Sequence, residues 1–132
     1  MSLQDTRPEV VRSLFERFNA QDVEAAIELL DADVWTGDPF GLDPPARGQS
    51  AFRKLWIKRS RLAPSTVRLH QIIELESAIE AVVAYYVRPA EGEVPPPVHV
   101  VHRFSFREER IASIEGTLIG DVPASLKKLF TR

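Results

Sequence analysis

From Thr66 onward the apolar residues stop recurring at helical spacing and begin to alternate, and they do so through four successive stretches ending at Ile119. Period-two alternation is the mark of a half-buried strand. In the first stretch Val67, Leu69, Gln71, Ile73 and Leu75 share one face. Arg68, His70, Ile72, Glu74 and Glu76 share the other. Ile79 to Val87 is richer in apolar residues and predicts a more enclosed strand. Val98 to Phe106 places Val98, Val100, His102, Phe104 and Phe106 on one side, and Ile111 to Ile119 forms the fourth strand. The connections are a proline-broken turn over 89–97 and a charged turn over 107–110. Strands joined so closely pair antiparallel. One face of such a sheet must be covered, which limits the chain to a small set of layered folds.

The cover comes from the N-terminal half. Thr6, Pro8 and Glu9 read as a helix start. Val10, Val11, Leu14, Phe15 and Phe18 then recur on one helical face as far as Asn19–Gln21. Asp22 caps a second short helix through Ala25, Ala26, Leu29 and Leu30. A short strand over 33–38 and a proline-containing loop, 41–48, lead to a third helix. Ser50 is its expected cap, and Phe52, Leu55, Trp56 and Leu62 face inward. Arg53, Lys54, Lys58, Arg59 and Arg61 are assigned to its solvent face. Asp121, Val122 and Pro123 open a last short helix with Leu126, Leu129 and Phe130 on its apolar side. The expected class is α+β, with three N-terminal helices on a curved, mostly antiparallel sheet in the order αα-β-α-ββββ. A curled sheet closed by helices leaves a conical cavity, and small ligands bind in cavities of ~300–1,000 Å³. Ile72, Val82, Ala84, Val101 and Ala112 fall on the outer sheet face, so a homodimer through that face is expected.

Length and charge exclude several classes of function. The 132 residues fit one domain, 1–132. A net charge of -2 offers no electrostatic case for nucleic acid or an anionic membrane. No apolar run approaches the ~20 residues that span a bilayer. There are no cysteines, hence no thiolate nucleophile, and a cytoplasmic location is expected. The polar N-terminus does not read as a signal peptide. The three histidines are scattered over strands without ligand spacing, so neither a metal nor a cofactor is expected. No serine–histidine–acid arrangement and no glycine-rich phosphate loop can be placed.

The stretch Asp33-Val34-Trp35-Thr36-Gly37-Asp38-Pro39-Phe40-Gly41 carries the strongest candidate for chemistry. Pro39 pushes Asp38 into an extended conformation. A carboxylate at a strand end among Val34, Trp35 and Phe40 is a candidate general base. Asp-Pro is also an ordinary turn signal. His102 alternates inward with Val100 and Phe104, and Tyr85 shares a face with Val83 and Val87. Gln71, on an otherwise apolar face, needs a partner if buried. His70 and His99 read as outward, and Asp43 as a turn residue.

The run Val10 to Asp22, the stretch Asp33 to Gly41, Gly48 with Phe52 and Trp56, the strand Val101 to Phe106, and Ser113 to Gly116 together resemble the nuclear-transport-factor-2-like superfamily. Within it the chain is most similar to the SnoaL-like and ketosteroid-isomerase-like branch. The resemblance covers nearly the whole chain in order. It implies a cone-shaped, cystatin-like fold and a small apolar ligand, steroid-like or aromatic. It favours Asp38 as the base that moves a proton next to a carbonyl, with His102 polarising the oxygen. The pocket would be lined by Leu14, Phe15, Val34, Phe40, Trp56, Gln71, Tyr85, Val100, Phe104, Gly116 and Leu118. Three positions depart from the isomerase pattern. Leu14 and Trp56 stand where the resemblance implies tyrosines, and His102 stands where it implies a protonated aspartic acid. Loss of one oxyanion donor typically costs about 10²–10³ in rate. A steroid isomerase of the usual design therefore needs replacement donors here.

Three functions follow as expectations. One is a cofactor-free isomerase or cyclase using Asp38 and His102. The second is a non-catalytic module of the same fold that binds a ligand or assembles. The third, a hydrolase holding water between a carboxylate and an arginine, ranks below them because no arginine is assigned inward.

Overall fold

The computed structural model describes residues 3–131, with side chains from residue 6 onward. Helix α1 (Leu3–Asn19) buries Val11, Leu14 and Phe15. It begins before the expected start, so Thr6 and Pro8 lie inside it. There the missing N–H of Pro8 forgoes a helical bond. Asp22 caps α2 (Val23–Ile27), its side chain accepting from the Ala25 N–H at 3.1 Å. Strand β1 (Leu30–Thr36) follows, then a two-residue strand β2 (Ala46–Arg47) inside the stretch expected to be loop. Helix α3 (Gln49–Leu62) is capped by Gly48, not Ser50. Gly48 has φ of 90°, which glycine adopts without strain.

The meander is β3 (Ser65–Glu74), β4 (Ile79–Val87), β5 (Val98–Arg107) and β6 (Arg110–Ile119), followed by α4 (Ala124–Phe130). One curved, unclosed sheet results, in the order β2-β1-β6-β5-β4-β3. The meander pairs antiparallel, and β1 joins β6 in parallel. The core lies between the helices and the inner face of the sheet, where Val83, Val100, Phe104 and Ile111 are fully buried. At the β3 edge Asn19 bonds both the N–H and the C=O of Val67, and Gln21 donates to the Ser65 carbonyl, which ties the end of α1 to the edge strand.

A bulge in β3 changes the expected register. Leu69 pairs with Val83 and Gln71 with Val82, so His70 is an extra residue. One inserted residue moves the rest of the strand to the opposite face. Gln71 is therefore exposed and does not line the pocket. Ile72, expected outside, pairs with Ala81 and packs partly buried against the core.

Candidate functional site

Side chains of α1, β1, the 37–40 turn, α3, β4, β5, β6 and α4 enclose a largely apolar cavity of about 130 Å³. This is well below the expected volume. Phe130 stacks on Phe40 with ring centroids 5.6 Å apart, and Trp56 lies 4.9 Å from Phe18 and 5.7 Å from Phe52. These rings occupy space that the sheet and helices would otherwise leave open. Of the expected lining residues, Leu14, Phe15, Phe40, Trp56, Tyr85 and Phe104 face the cavity together with Asp38 and His102. Val34 and Val100 do not: both are fully buried in the core behind it. Leu118 also lies outside the wall, packed against the core.

Gly116 acts at the back of the site instead of lining it. A Cβ there would lie 3.0 Å from the Pro39 Cα and 3.6 Å from the His102 ring. Its missing side chain lets the Asp38-Pro39 turn press against β6 directly beneath His102. This close approach is the reason for glycine at this point, since its φ is not in the left-handed region.

Asp38 is buried, with 2% of its side chain exposed. Oδ1 accepts from the Phe40 N–H at 3.1 Å. Oδ2 accepts from the N–H groups of Leu42 and Asp43, each at 2.8 Å, and from Arg59 Nη2 at 2.6 Å. The carboxylate thus folds the loop that follows it and forms an ion pair within the wall.

Arg59 is the residue that sequence reasoning missed. It is not on the solvent face: only 14% of its side chain is exposed, and it lines the cavity. It sits seven residues after Phe52 and three after Trp56, a spacing that returns to the same helical face. Its positive charge obscured that signal. An inward arginine paired with a carboxylate does exist, so the ground for ranking the hydrolase low was mistaken. Nη2 also bonds Asp43 at 2.7 Å, and the guanidinium carbon lies 4.5 Å from the Phe130 ring centre and 5.3 Å from that of Phe40. Asp43 takes a further bond from Lys58 at 2.9 Å. Partial burial pushes the Asp43 carboxyl up, but the bonds from Lys58 and Arg59 outweigh it and hold the group below its ordinary value.

On the facing wall Tyr85 Oη lies 2.5 Å from His102 Nε2, and His102 Nδ1 lies 3.2 Å from the Glu115 carbonyl. A carbonyl only accepts, so Nδ1 carries the ring proton and Nε2 accepts the tyrosine O–H. Burial lowers the His102 pKa to about 4, against a smaller upward pull from the Glu115 carbonyl. The ring is therefore neutral near pH 7, with both nitrogens engaged. Burial also raises the Tyr85 hydroxyl above its ordinary value, and the negative charge of Asp38 adds to the rise. His102 thus lines the cavity without a free ring nitrogen to offer a ligand.

His70 and His99 are exposed and stack 6.4 Å apart. Among the described residues no cluster of histidine and carboxylate side chains is arranged to hold a metal ion. No described helix is long and apolar enough to cross a membrane.

Residues 11–114 match a family model described as a SnoaL-like domain. No curated protein matches the chain. Among solved structures it is similar to TerC co-crystallised with polyporic acid, with 14% identity, a TM-score of 0.80, and 96% of this chain and 98% of that chain covered. It is also similar to an NTF2-like protein of unknown function from Burkholderia pseudomallei, with 21% identity, a TM-score of 0.77 and full coverage of both chains. A third is a hypothetical protein from Catenulispora acidiphila with a ketosteroid-isomerase-like fold, in complex with trimethylamine. It shows 16% identity and a TM-score of 0.76, covering 85% of this chain and 86% of that one. At these identities the likeness establishes the fold.

Proposed function

Because the chain belongs to the SnoaL-like domain family, we propose that it moves a proton at the carbon next to a carbonyl of a small apolar compound, with Asp38 as the base. One observation carries this reading: an Asp38 carboxylate set in the wall of a largely apolar cavity, with only one hydrogen bond on Oδ1. Three donors hold Oδ2 and fix the orientation of the group. Oδ1 is left with a lone pair to receive a C–H proton. As that proton leaves, its electron pair passes into the carbonyl, which becomes an enolate. The proton then returns to the same carbon or further along a conjugated system. The volume supports a substrate of about one ring, since a dry cavity of ~150 Å³ takes benzene.

The experiment is α-proton exchange of acetophenone in D₂O, followed by NMR. The wild-type protein should accelerate exchange of the methyl protons. Asp38→Asn should abolish that acceleration while the near-UV circular dichroism stays native. Exchange that persists in a folded Asp38→Asn protein would exclude Asp38 as the base.

A second reading, ligand binding without turnover, is favoured by how fully Asp38 and His102 are hydrogen-bonded already. Asp38 already accepts four hydrogen bonds, and both His102 nitrogens are occupied. It expects acetophenone to bind without any exchange above the solvent rate.

A further inference from the structure

Helix α4 reaches the cavity through one side chain, Phe130, which is 2% exposed. Its ring stacks on Phe40 at 5.6 Å and 16°, and the Arg59 guanidinium carbon lies 4.5 Å from its centre. An aromatic ligand would be held in the same way, against a ring face and a guanidinium. Here the protein's own C-terminal segment fills the position. Apolar packing is what holds that segment. Val122, Leu126 and Phe130 are buried, whereas the described hydrogen bonds of residues 121–131 all stay within the segment. No side-chain hydrogen bond caps the helix. A helix of seven residues does not persist in water without its docking surface. Gly120 joins it to β6 with φ of 90°, and a Cβ there would meet nothing within 4 Å. The chain is free to turn at this point.

We propose that Phe130 is a built-in occupant of a second, ring-sized subsite, and that α4 undocks about Gly120 when a two-ring ligand takes its place. With α4 docked, the cavity of about 130 Å³ has room for one ring. With Phe130 withdrawn, the Phe40 ring and the Arg59 guanidinium are left to receive a second. Arg59 does not follow α4, because its Nη2 bridges Asp38 and Asp43. The subsite therefore keeps its cationic partner as it empties. Of the three buried side chains of the segment only Phe130 lines the cavity, so Leu126 acts on the subsite solely by holding α4 down. Undocking exposes Val122, Leu126 and Phe130 to water, which makes the affinity for two rings depend on how firmly α4 is docked. A wall of fixed shape gives no such dependence. The subsite presupposes that the cavity is the ligand site, as proposed above, and gives that site a size limit set by α4.

The test is calorimetric titration of the full chain with acetophenone and with methyl naphthyl ketone, together with trypsin digestion in the presence of each. Lys127 and Lys128 are exposed on α4, and cleavage after them requires the helix to open. Release of the terminal peptide, read by mass spectrometry, therefore reports undocking. Both ketones should bind. The naphthyl ketone should speed that cleavage at least about tenfold, since cleavage follows the open population, and acetophenone should leave it unchanged. Leu126→Ala keeps the cavity lining and loosens α4. It should bind the naphthyl ketone at least about tenfold tighter than wild type, with acetophenone affinity unaltered. Should that variant fail to fold, Phe130→Ala, which empties the subsite directly, should show the same gain for the naphthyl ketone. Binding of acetophenone without binding of the naphthyl ketone would reveal a fixed wall, overturning the inference and leaving the cavity as a ligand site. Naphthyl ketone bound with unchanged cleavage, or a folded Leu126→Ala protein of wild-type affinity, would do the same. Binding of neither ketone to the wild type would overturn the ligand-site reading and the subsite with it.

Discussion

Asp38 Oδ2 and Arg59 Nη2 meet at 2.6 Å inside the cavity wall, 21 residues apart in the chain. This pair joins the turn after β1 to the last turn of α3 and sets the charge of the candidate site. Removing one partner leaves the other buried and uncompensated, which typically costs about 3–5 kcal/mol. We expect Arg59→Met to lower stability by that order in urea denaturation. The double variant Asp38→Asn with Arg59→Met should cost clearly less than the sum of its parts. Additive losses would show that the two groups are not coupled.

His102 gives the fold a pH dependence of definite sign. Its folded pKa is lowered to about 4, against 6.5 for the ordinary side chain. Between those values the unfolded chain binds the proton and the folded chain does not. Stability therefore falls as pH drops from 6.5 to 4, by on the order of 3 kcal/mol from this group, and this contribution is flat above 6.5. Thermal unfolding across that window should show the decline in the wild type and a shallower one in His102→Gln. Parallel curves would remove His102 as the cause.

Gly116 sets the distance between β6 and the Asp38 turn, because a Cβ would approach the Pro39 Cα to 3.0 Å. Gly116→Val should push that turn away and cost about 1–3 kcal/mol through overpacking. Gly116→Ala should cost less, since a shift of a few tenths of an ångström accommodates it. Denaturation midpoints for the two variants check the order, and equal midpoints would contradict the contact.

The outer sheet face supports a proposal of self-association. Val82 pairs with Val101 there, and Tyr86 and Ile119 are 38% and 53% exposed. We propose a homodimer through this face. Size-exclusion chromatography with light scattering should give twice the mass of the chain, and Val101→Glu should give the single mass. A wild-type protein that stays monomeric at tens of micromolar would end the proposal.

Much of the architecture was legible from local pattern. Ile79–Val87 is a strand over the span that alternation marks, and Asp22 caps the second helix as its side-chain chemistry suggests. SnoaL-like membership was likewise readable from the order of elements and the stretches at Asp33–Gly41 and Val101–Phe106. Reading failed where one residue breaks the period. The His70 bulge sends Gln71 outward and Ile72 inward, and no composition signal marks an unpaired strand residue. It failed again at Arg59, where charge was taken as evidence of exposure although the helical spacing pointed inward.

Local pattern set most of the helices and strands, because periodicity and capping act within a few residues, although β2 formed where a loop was expected. It also determined that a carboxylate would stand at the end of the first strand, ahead of Pro39. What that carboxylate meets, how much space remains before it, and the engagement of both His102 nitrogens by Tyr85 and Glu115 were set by tertiary packing. Those outcomes depend on groups 13 to 21 residues apart reaching hydrogen-bond distance, and on aromatic rings from α1, α3 and α4 filling one volume. Long-range packing sets both, and no local window of sequence contains it.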